Sequence, residues 1–168
     1  VELSVHAMSA PDHEPIQGHQ FTNEEFEKCQ TQQAFVDVNG IYFEAITRPI
    51  GIWNCRHFAY NIIIGVQEPR YTLEQLDEFK KKNADGYTYT DRRGHKQHLS
   101  LYECSQKQRQ YELSIRKARE GKAFAERAGN EELSQYYNKR IKQRLADYTT
   151  FSNNCGLKPQ YMRTKVTI

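Results

Sequence analysis

The 168-residue chain lacks the features that mark several large classes of protein. It has no apolar run approaching the ~20 residues that a membrane-spanning helix requires. Its first residues do not resemble a signal peptide, because no basic stretch is followed by an apolar one. It also has no GxxxxGK[S/T] loop, no GxGxxG after a strand and no EF-hand spacing, so nothing predicts nucleotide or calcium binding.

The cysteines are few and widely spaced, at Cys29, Cys55, Cys104 and Cys155. No two of them form a CxxC pair, so we expect reduced thiols in a cytosolic protein rather than disulfides. The chain begins with Val1 and has no initiator Met, and it opens directly in an alternating apolar pattern. We therefore expect it to be a piece of a longer protein.

Charge is distributed unevenly along the chain. Residues 1–99 carry 10 Lys and Arg against 14 Asp and Glu, whereas residues 100–168 carry 14 against 7. A basic C-terminal third is typical of a surface that contacts nucleic acid or an acidic protein, although a solvated helix face has the same composition. The sequence therefore makes RNA or DNA contact a hypothesis for this third of the chain.

The first 99 residues show short strand and helix patterns separated by turn residues. Capping boxes that begin at Thr22 and Thr72 predict two short helices. Asn39 and Gly40 predict a type I′ turn between strands 35–38 and 41–44, because both central residues of that turn need positive φ. Further strands are predicted at residues 1–7, 58–64, 87–90 and 96–99.

From residue 100 onward, apolar side chains recur at three- and four-residue steps, as on one face of a long helix. Gly129 and Asn130 interrupt this pattern, which resumes and ends at Gly156. The predicted fold class is therefore α+β: a small antiparallel sheet with short helices, followed by a long antiparallel helical hairpin. The predicted domains are an α+β unit over 1–99, the hairpin over 100–156 and a basic C-terminal tail over 157–168.

Functional groups are concentrated in four consecutive residues that precede an apolar run, and further imidazoles lie near the start of the chain. Metal-independent RNA cleavage needs a base, an acid and a cation that stabilises the phosphorane. Imidazoles supply the first two near neutral pH, and a guanidinium supplies the third. The candidate catalytic residues are His6, His13, Arg56 and His57. The candidate binding residues, for a phosphate or a base edge, are Gln17, Asn54, Arg92 and Arg93.

Other interpretations of these residues stay open. In the structural one, Asn54 and His57 satisfy backbone groups in a buried turn. A zinc site would use Cys55, His57 and either His6 or His13, but Cys-x-His without a second close pair is a weak signal. A nucleophilic Cys55 paired with His13 would need a lowered thiol pKa. We therefore predict no metal and no cofactor.

Three separated motifs carry a resemblance to a known family. They are, in chain order, DHEPIQG from Asp12 to Gly18, WNCRH from Trp53 to His57, and the segment from Leu101 to Arg116 that begins LYE. In this order they resemble the C-terminal portion of phage minor capsid protein 2, a family found in tailed phages and prophages of Gram-positive bacteria. The resemblance runs from His6 to about Gly156, and its most specific part is the Asn-Cys-Arg-His block.

The resemblance implies a virion component that is present in few copies and lies in the head near the portal. Its partners would be phage capsid or portal proteins, and it would occupy the host cytoplasm during assembly. The chain is also similar to Mu-type head proteins, whose C-terminal regions often carry toxin-like domains. The alternative function is therefore a metal-independent ribonuclease of the barnase or RelE kind. The resemblance further implies that much of the family's N-terminal region is missing.

Overall fold

The computed structural model describes residues 1–52, 55–90 and 94–166, and the chain divides into two compact units, Val1–Asp85 and Gly86–Ile168. Short antiparallel strand pairs and two short helices are followed by two long helices that pack on each other. The predicted α+β fold class is therefore confirmed. Within the described residues, no helix combines the length and apolar character that a membrane span needs.

The first unit consists of two-residue strands and two helices joined by long turns. Its elements, in chain order, are β1 (Glu2–Leu3), α1 (Asn23–Gln30), β2 (Phe35–Val36), β3 (Tyr42–Phe43), β4 (Ala59–Tyr60) and α2 (Leu73–Asp85). The antiparallel pairs are β1 with β4 and β2 with β3. Capping boxes open both helices as predicted, through Thr22 with Glu25 and Thr72 with Gln75.

The prediction of a half-buried strand over residues 1–7 is wrong about the length of the strand and about the exposure of its polar side chains. Pairing stops at Leu3, and Glu2 is buried although alternation would expose it. Its carboxylate accepts hydrogen bonds from Gln20 and from the backbone N–H of Arg70, and the Arg70 guanidinium lies 3.7 Å away. These partners compensate the cost of removing the charge from water.

The predicted type I′ turn is also wrong, by one residue of register. Phe35 pairs with Phe43 and Val36 with Tyr42, and the N–H of Asp37 donates to the carbonyl of Ile41 at 2.9 Å, which leaves residues 38–40 in the loop. Asn39 does not have positive φ, whereas Gly40 has φ of 81°. The Asp37 carboxylate accepts from the backbone N–H groups of Asn39 and Ile41 at 2.9 and 2.8 Å, which stabilises the wider loop.

The core of the first unit explains this register. Phe35 and Phe43 are both buried and stack with ring centroids 5.3 Å apart, and Phe21 meets each of them edge-on. A two-residue turn would place Phe35 opposite Glu44 and break this aromatic group, because a one-residue slip moves every side chain to the other face. The buried apolar cluster of this unit contains Leu3, Ile16, Phe21, Cys29, Phe35, Phe43, Ile46 and Ile50.

The second unit contains a hairpin, two long helices and a short 3₁₀ helix. Its elements are β5 (Tyr87–Thr90), β6 (Lys96–Leu99), α3 (Leu101–Arg127), α4 (Glu131–Asn154) and the 3₁₀ helix Tyr161–Thr164. Both strands and the helical hairpin agree with the sequence prediction. The compact unit begins at Gly86, whereas the predicted division lies at residue 99. The hairpin belongs with the helices because Tyr87 and Tyr89 pack with Leu99 in their core.

The turn between the long helices is short, because α3 ends at Arg127 and α4 begins at Glu131. Gly129 adopts φ of 67°, and the N–H groups of Gly129 and Asn130 donate to Glu126 and Ala125, the pattern of a Schellman cap. Asn130 also opens α4, because its side-chain oxygen accepts from the N–H of Leu133. One residue therefore ends one helix and begins the next, which forces the antiparallel hairpin that the sequence predicts.

A buried network that we call the glutamate–tyrosine network joins the two long helices and the residues after them. Tyr148 donates to Glu112 at 3.0 Å and accepts from the backbone N–H of Gln160 at 2.6 Å. Gln108 donates to Ser152 and to the carbonyl of Lys158. Residues of the predicted basic tail pack on the hairpin through the 3₁₀ helix, and Thr164 is fully buried.

Candidate functional site: a buried histidine cluster

The pairing of β1 with β4 brings the two candidate segments together. Just beyond the paired residues, Ser4 N–H donates to the carbonyl of Phe58 at 2.9 Å, and Phe58 N–H donates to the Ser4 hydroxyl at 3.1 Å. The chain after Ser4 and the chain before Phe58 therefore run side by side. Consecutive turns over residues 7–18 then fold the first of these segments back over the second.

Five residues from these segments form one group, which we call the histidine cluster: His6, His13, Gln17, Cys55 and His57. The ring of His57 lies at its centre, with centroid distances of 4.7 Å to His6 and 5.3 Å to His13, both edge-on. His13 is 1% exposed and His57 6%, so neither ring faces solvent. These two rings are therefore part of the interior of the unit, whereas His6 and Cys55 are partly exposed.

Gln17 and Ser9 lie within hydrogen-bonding distance of Nε2 of His57. The Gln17 side-chain oxygen accepts from the backbone N–H of His6 at 2.9 Å, which identifies that atom as the oxygen of the amide. The same oxygen lies 3.3 Å from Nε2 of His57, so this nitrogen donates to it. The Ser9 hydroxyl lies 3.4 Å from the same nitrogen. Nδ1 of His57 therefore carries the lone pair when the ring is neutral.

His13 is oriented in the same way by a different partner. Its Nε2 lies 2.8 Å from the carbonyl oxygen of Arg48, which can only accept, so Nε2 carries the hydrogen. Asp12 Oδ2 lies 3.7 Å from this nitrogen, and Asp12 Oδ1 accepts from the Arg48 guanidinium at 2.9 Å. Nδ1 of His13 is again the nitrogen with the lone pair in the neutral ring.

Burial and charge shift two pKa values here. Burial, together with the neighbouring charges of His6 and His13, lowers the pKa of His57 from 6.5 to about 4. For Asp12, burial works in the opposite direction from its partners. Hydrogen bonds from Arg48 and Thr47 and the nearby cations outweigh burial and lower the pKa of Asp12 to about 2. At neutral pH the folded unit therefore holds a neutral His57 beside an ionised Asp12.

Cys55 lies between the two oriented rings. Its Sγ is 3.4 Å from Nδ1 of His13 and 3.5 Å from Nδ1 of His57. The three atoms lie within 4.8 Å of one another, and Cys55 is the one member of this trio that is partly exposed. Both ring atoms that face the sulfur are the ones with lone pairs in the neutral rings.

The structure brings together four of the predicted site residues, His6, His13, Gln17 and His57. The side chain of Arg56 is exposed, and its backbone carbonyl accepts from Nε2 of His6 at 2.9 Å. The predicted binding residues Asn54, Arg92 and Arg93 lie outside the described residues. The catalytic and binding roles stay predictions, and burial of His13 and His57 gives a phosphate no direct access to their nitrogens in this conformation.

Sequence reasoning missed the residues that orient the cluster, namely Ser9, Asp12 and Arg48. Asp12 is adjacent to His13 and belongs to the first motif, so it was visible as a candidate. The contribution of Arg48 is its backbone carbonyl, and no residue type signals that role. Ser9 reaches His57 across a 48-residue separation, which only tertiary structure creates.

Comparison with known proteins gives one match. The family model of phage minor capsid protein 2 matches residues 1–152. No curated protein and no solved structure matches the chain. The matched range includes the whole histidine cluster and most of the helical hairpin, and thus all three motifs that carried the resemblance. The narrower expectations, of a C-terminal portion and of kinship with toxin-like domains, stay predictions.

Proposed function

Because the chain belongs to the phage minor capsid protein 2 family, we propose that it is a structural component of the virion head that lies near the portal and contacts head or portal proteins. The family match over residues 1–152 is the observation that carries this proposal. A role in phage structure follows from the family itself. We propose three further points: the position near the portal, the contacts with head or portal proteins, and a location in the host cytoplasm during assembly.

The hairpin formed by β2 and β3 offers a surface suited to such contacts. Its inner face holds Phe35 and Phe43, and its outer face presents Val36 opposite Tyr42, both more than half exposed. Val38, at the turn, is 63% exposed. Adjacent apolar side chains in water favour association with another protein, and an unpaired strand edge offers backbone groups for pairing.

The histidine cluster supports this proposal because it links two distant segments of the first unit. It joins two segments about 40 residues apart, and the side chains of His13 and His57 are both buried. Such a cluster suits a protein that presents a fixed surface to a neighbour in an assembled particle. The ribonuclease alternative needs these imidazoles to reach a phosphate, and no contact in the described residues favours it.

Chemical crosslinking of purified virions tests the location. The portal position predicts crosslinks between this protein and the portal protein, identified by mass spectrometry. A virion that lacks the protein, or crosslinks confined to shell proteins distant from the portal, would contradict the proposal. Replacing both Val36 and Tyr42 by Asp is expected to reduce incorporation into particles without unfolding the protein.

The matched control is Val66→Asp. Val66 is 74% exposed but lies outside the β2–β3 hairpin, so it tests the effect of an added charge on an exposed apolar position. Equal incorporation of all variants would exclude the hairpin as the contact surface while leaving the crosslinking result to decide the location. Nucleic acid contact through the basic residues after 100 stays a prediction, and salt-dependent binding of DNA to the purified chain would test it.

A further inference from the structure

The hydrogen atoms available in the histidine cluster do not satisfy all of its buried acceptors. Nε2 of His13 donates to the Arg48 carbonyl and Nε2 of His57 donates to Gln17, so each neutral ring presents a bare Nδ1 to Cys55. A thiol has one hydrogen and can donate to one of these nitrogens. Among the residues that the structure describes, the second Nδ1 then has no hydrogen-bond donor, and a buried acceptor left in this way costs free energy.

A bound cation would satisfy all three atoms at once, and their spacing fits one. Tetrahedral Zn²⁺, with bonds of about 2.3 Å to sulfur and about 2.05 Å to nitrogen, holds the two kinds of ligand about 3.6 Å apart. The observed distances from Sγ to the two Nδ1 atoms are 3.4 and 3.5 Å. Both sulfur–nitrogen distances therefore already match a tetrahedral site, and all three atoms lie within 4.8 Å of one another.

The partners of the rings are those that metal-binding imidazoles use. A ligand histidine donates its second N–H to a carbonyl, an amide or a carboxylate, which fixes the ring and makes the free nitrogen a better ligand. Arg48 and Gln17 accept these N–H groups, and a carboxylate oxygen of Asp12 lies 3.7 Å from Nε2 of His13. Two imidazoles and a thiolate favour zinc over magnesium or calcium, which prefer oxygen ligands.

We propose that Nδ1 of His13, Sγ of Cys55 and Nδ1 of His57 bind one Zn²⁺ ion, with water at the fourth position, and that the ion fastens residues 7–18 to the segment at 55–57. The sequence prediction of no metal is thereby revised: Cys55 and His57 supply two ligands, and the third comes from His13 rather than His6. Binding would release the thiol proton to solvent, because the thiolate is the ligand.

Metal analysis of the untagged full chain tests the site. The protein is dialysed against Zn²⁺, freed of loose metal by gel filtration and measured by mass spectrometry of the metal. One zinc per chain is expected in the wild type, and Cys55→Ser and His13→Gln should each lose it. Cys155→Ser is the matched control, because Cys155 lies in the second unit and should leave the zinc content unchanged.

Two further measurements keep the result decisive if a ligand variant fails to fold. In the wild type, a chelator should lower the melting temperature, and Zn²⁺ but not Mg²⁺ should restore it. Co²⁺ should give the thiolate-to-metal absorption of a cysteine ligand. No bound zinc in folded wild type, or equal zinc in folded Cys55→Ser, would overturn the proposal. The proposal would also be overturned if Cys55 reacted with an alkylating reagent at the same rapid rate with and without the chelator.

Gln17 is a positioning residue in this proposal. Gln17→Leu removes the acceptor for Nε2 of His57 while leaving the three ligands in place, and loss of such a partner typically weakens metal binding about 10- to 100-fold. Competition with a chromophoric chelator measures this change. His6→Gln is the comparison: His6 touches the His57 ring but supplies no ligand, so zinc affinity should stay near that of the wild type.

Discussion

The two units of this protein are stabilised in different ways. In the second unit, two long helices satisfy their own backbone groups, and buried side chains add contacts between them. In the first unit, most of the chain is turn and loop, and side chains supply many of the partners that backbone groups need. The lesson is that an irregular unit depends on individual polar residues, whereas a helical hairpin spreads its stability over a repeating pattern.

The largest expected effect is that of His13→Ala in the first unit. The change leaves a cavity and removes the donor to the Arg48 carbonyl, so we expect a loss of about 3 to 5 kcal/mol in the free energy of unfolding. Denaturant unfolding in the presence of a chelator measures this loss without any contribution from bound metal. The control is Lys81→Ala, an exposed position in the same unit that should change stability by less than about 0.5 kcal/mol.

Acid should destabilise the first unit through His57. Its pKa is 6.5 when unfolded and about 4 when folded, so between these values the unfolded state binds more protons. The stabilisation that depends on neutral His57 is complete above pH 6.5. It is lost as the pH falls to 4, and the loss in the free energy of unfolding is on the order of 3 kcal/mol. Thermal melts with chelator across this range measure it, and His57→Gln should flatten the profile. An unchanged slope in that variant would assign the acid sensitivity to other groups.

A single hydroxyl should matter in the second unit. Tyr148→Phe leaves the Gln160 N–H and the buried Glu112 carboxylate without their shared partner, and we expect a cost of about 1 to 3 kcal/mol. Hydrogen exchange should also rise at residues 158–164, which lose one of their hydrogen bonds to α4. Tyr136→Phe is the control, since Tyr136 lies on the same helix and is exposed. Equal destabilisation by both changes would contradict this role of the network.

The smallest effect is expected in the β2–β3 hairpin. Asp37→Ala removes two hydrogen bonds to loop N–H groups, at a cost of about 1 kcal/mol, and leaves Asn39 and Gly40 free to form the two-residue turn that they prefer. NMR contacts across the hairpin will show whether the register changes. We expect it to be retained, because Phe35 and Phe43 remain buried together; a shift to the two-residue turn would mean that loop chemistry outweighs the aromatic core.

The two units also differ in how much of their structure the sequence predicted. The ends of α3 and α4 and the β5–β6 hairpin were visible in the sequence, because caps and periodic apolar side chains act over a few residues. The lengths of β1 and β4 and the register of β2 with β3 were not. Those depend on Asp37, Glu2 and the aromatic core, whose partners are distant or whose effect opposes a strong local preference.

The histidine cluster shows the same limit at the level of the site. The sequence alone identified His6, His13, Gln17 and His57 as residues of interest, because imidazoles and amides in irregular segments attract attention by type. The tertiary structure decided which nitrogen of each ring faces Cys55, since that depends on the Arg48 carbonyl and on a Gln17 oxygen fixed by a backbone N–H. Sequence therefore determined the family, the fold class and the chemical groups present. Only the folded chain set their orientation, because hydrogen-bond direction is a property of atoms brought together from distant positions.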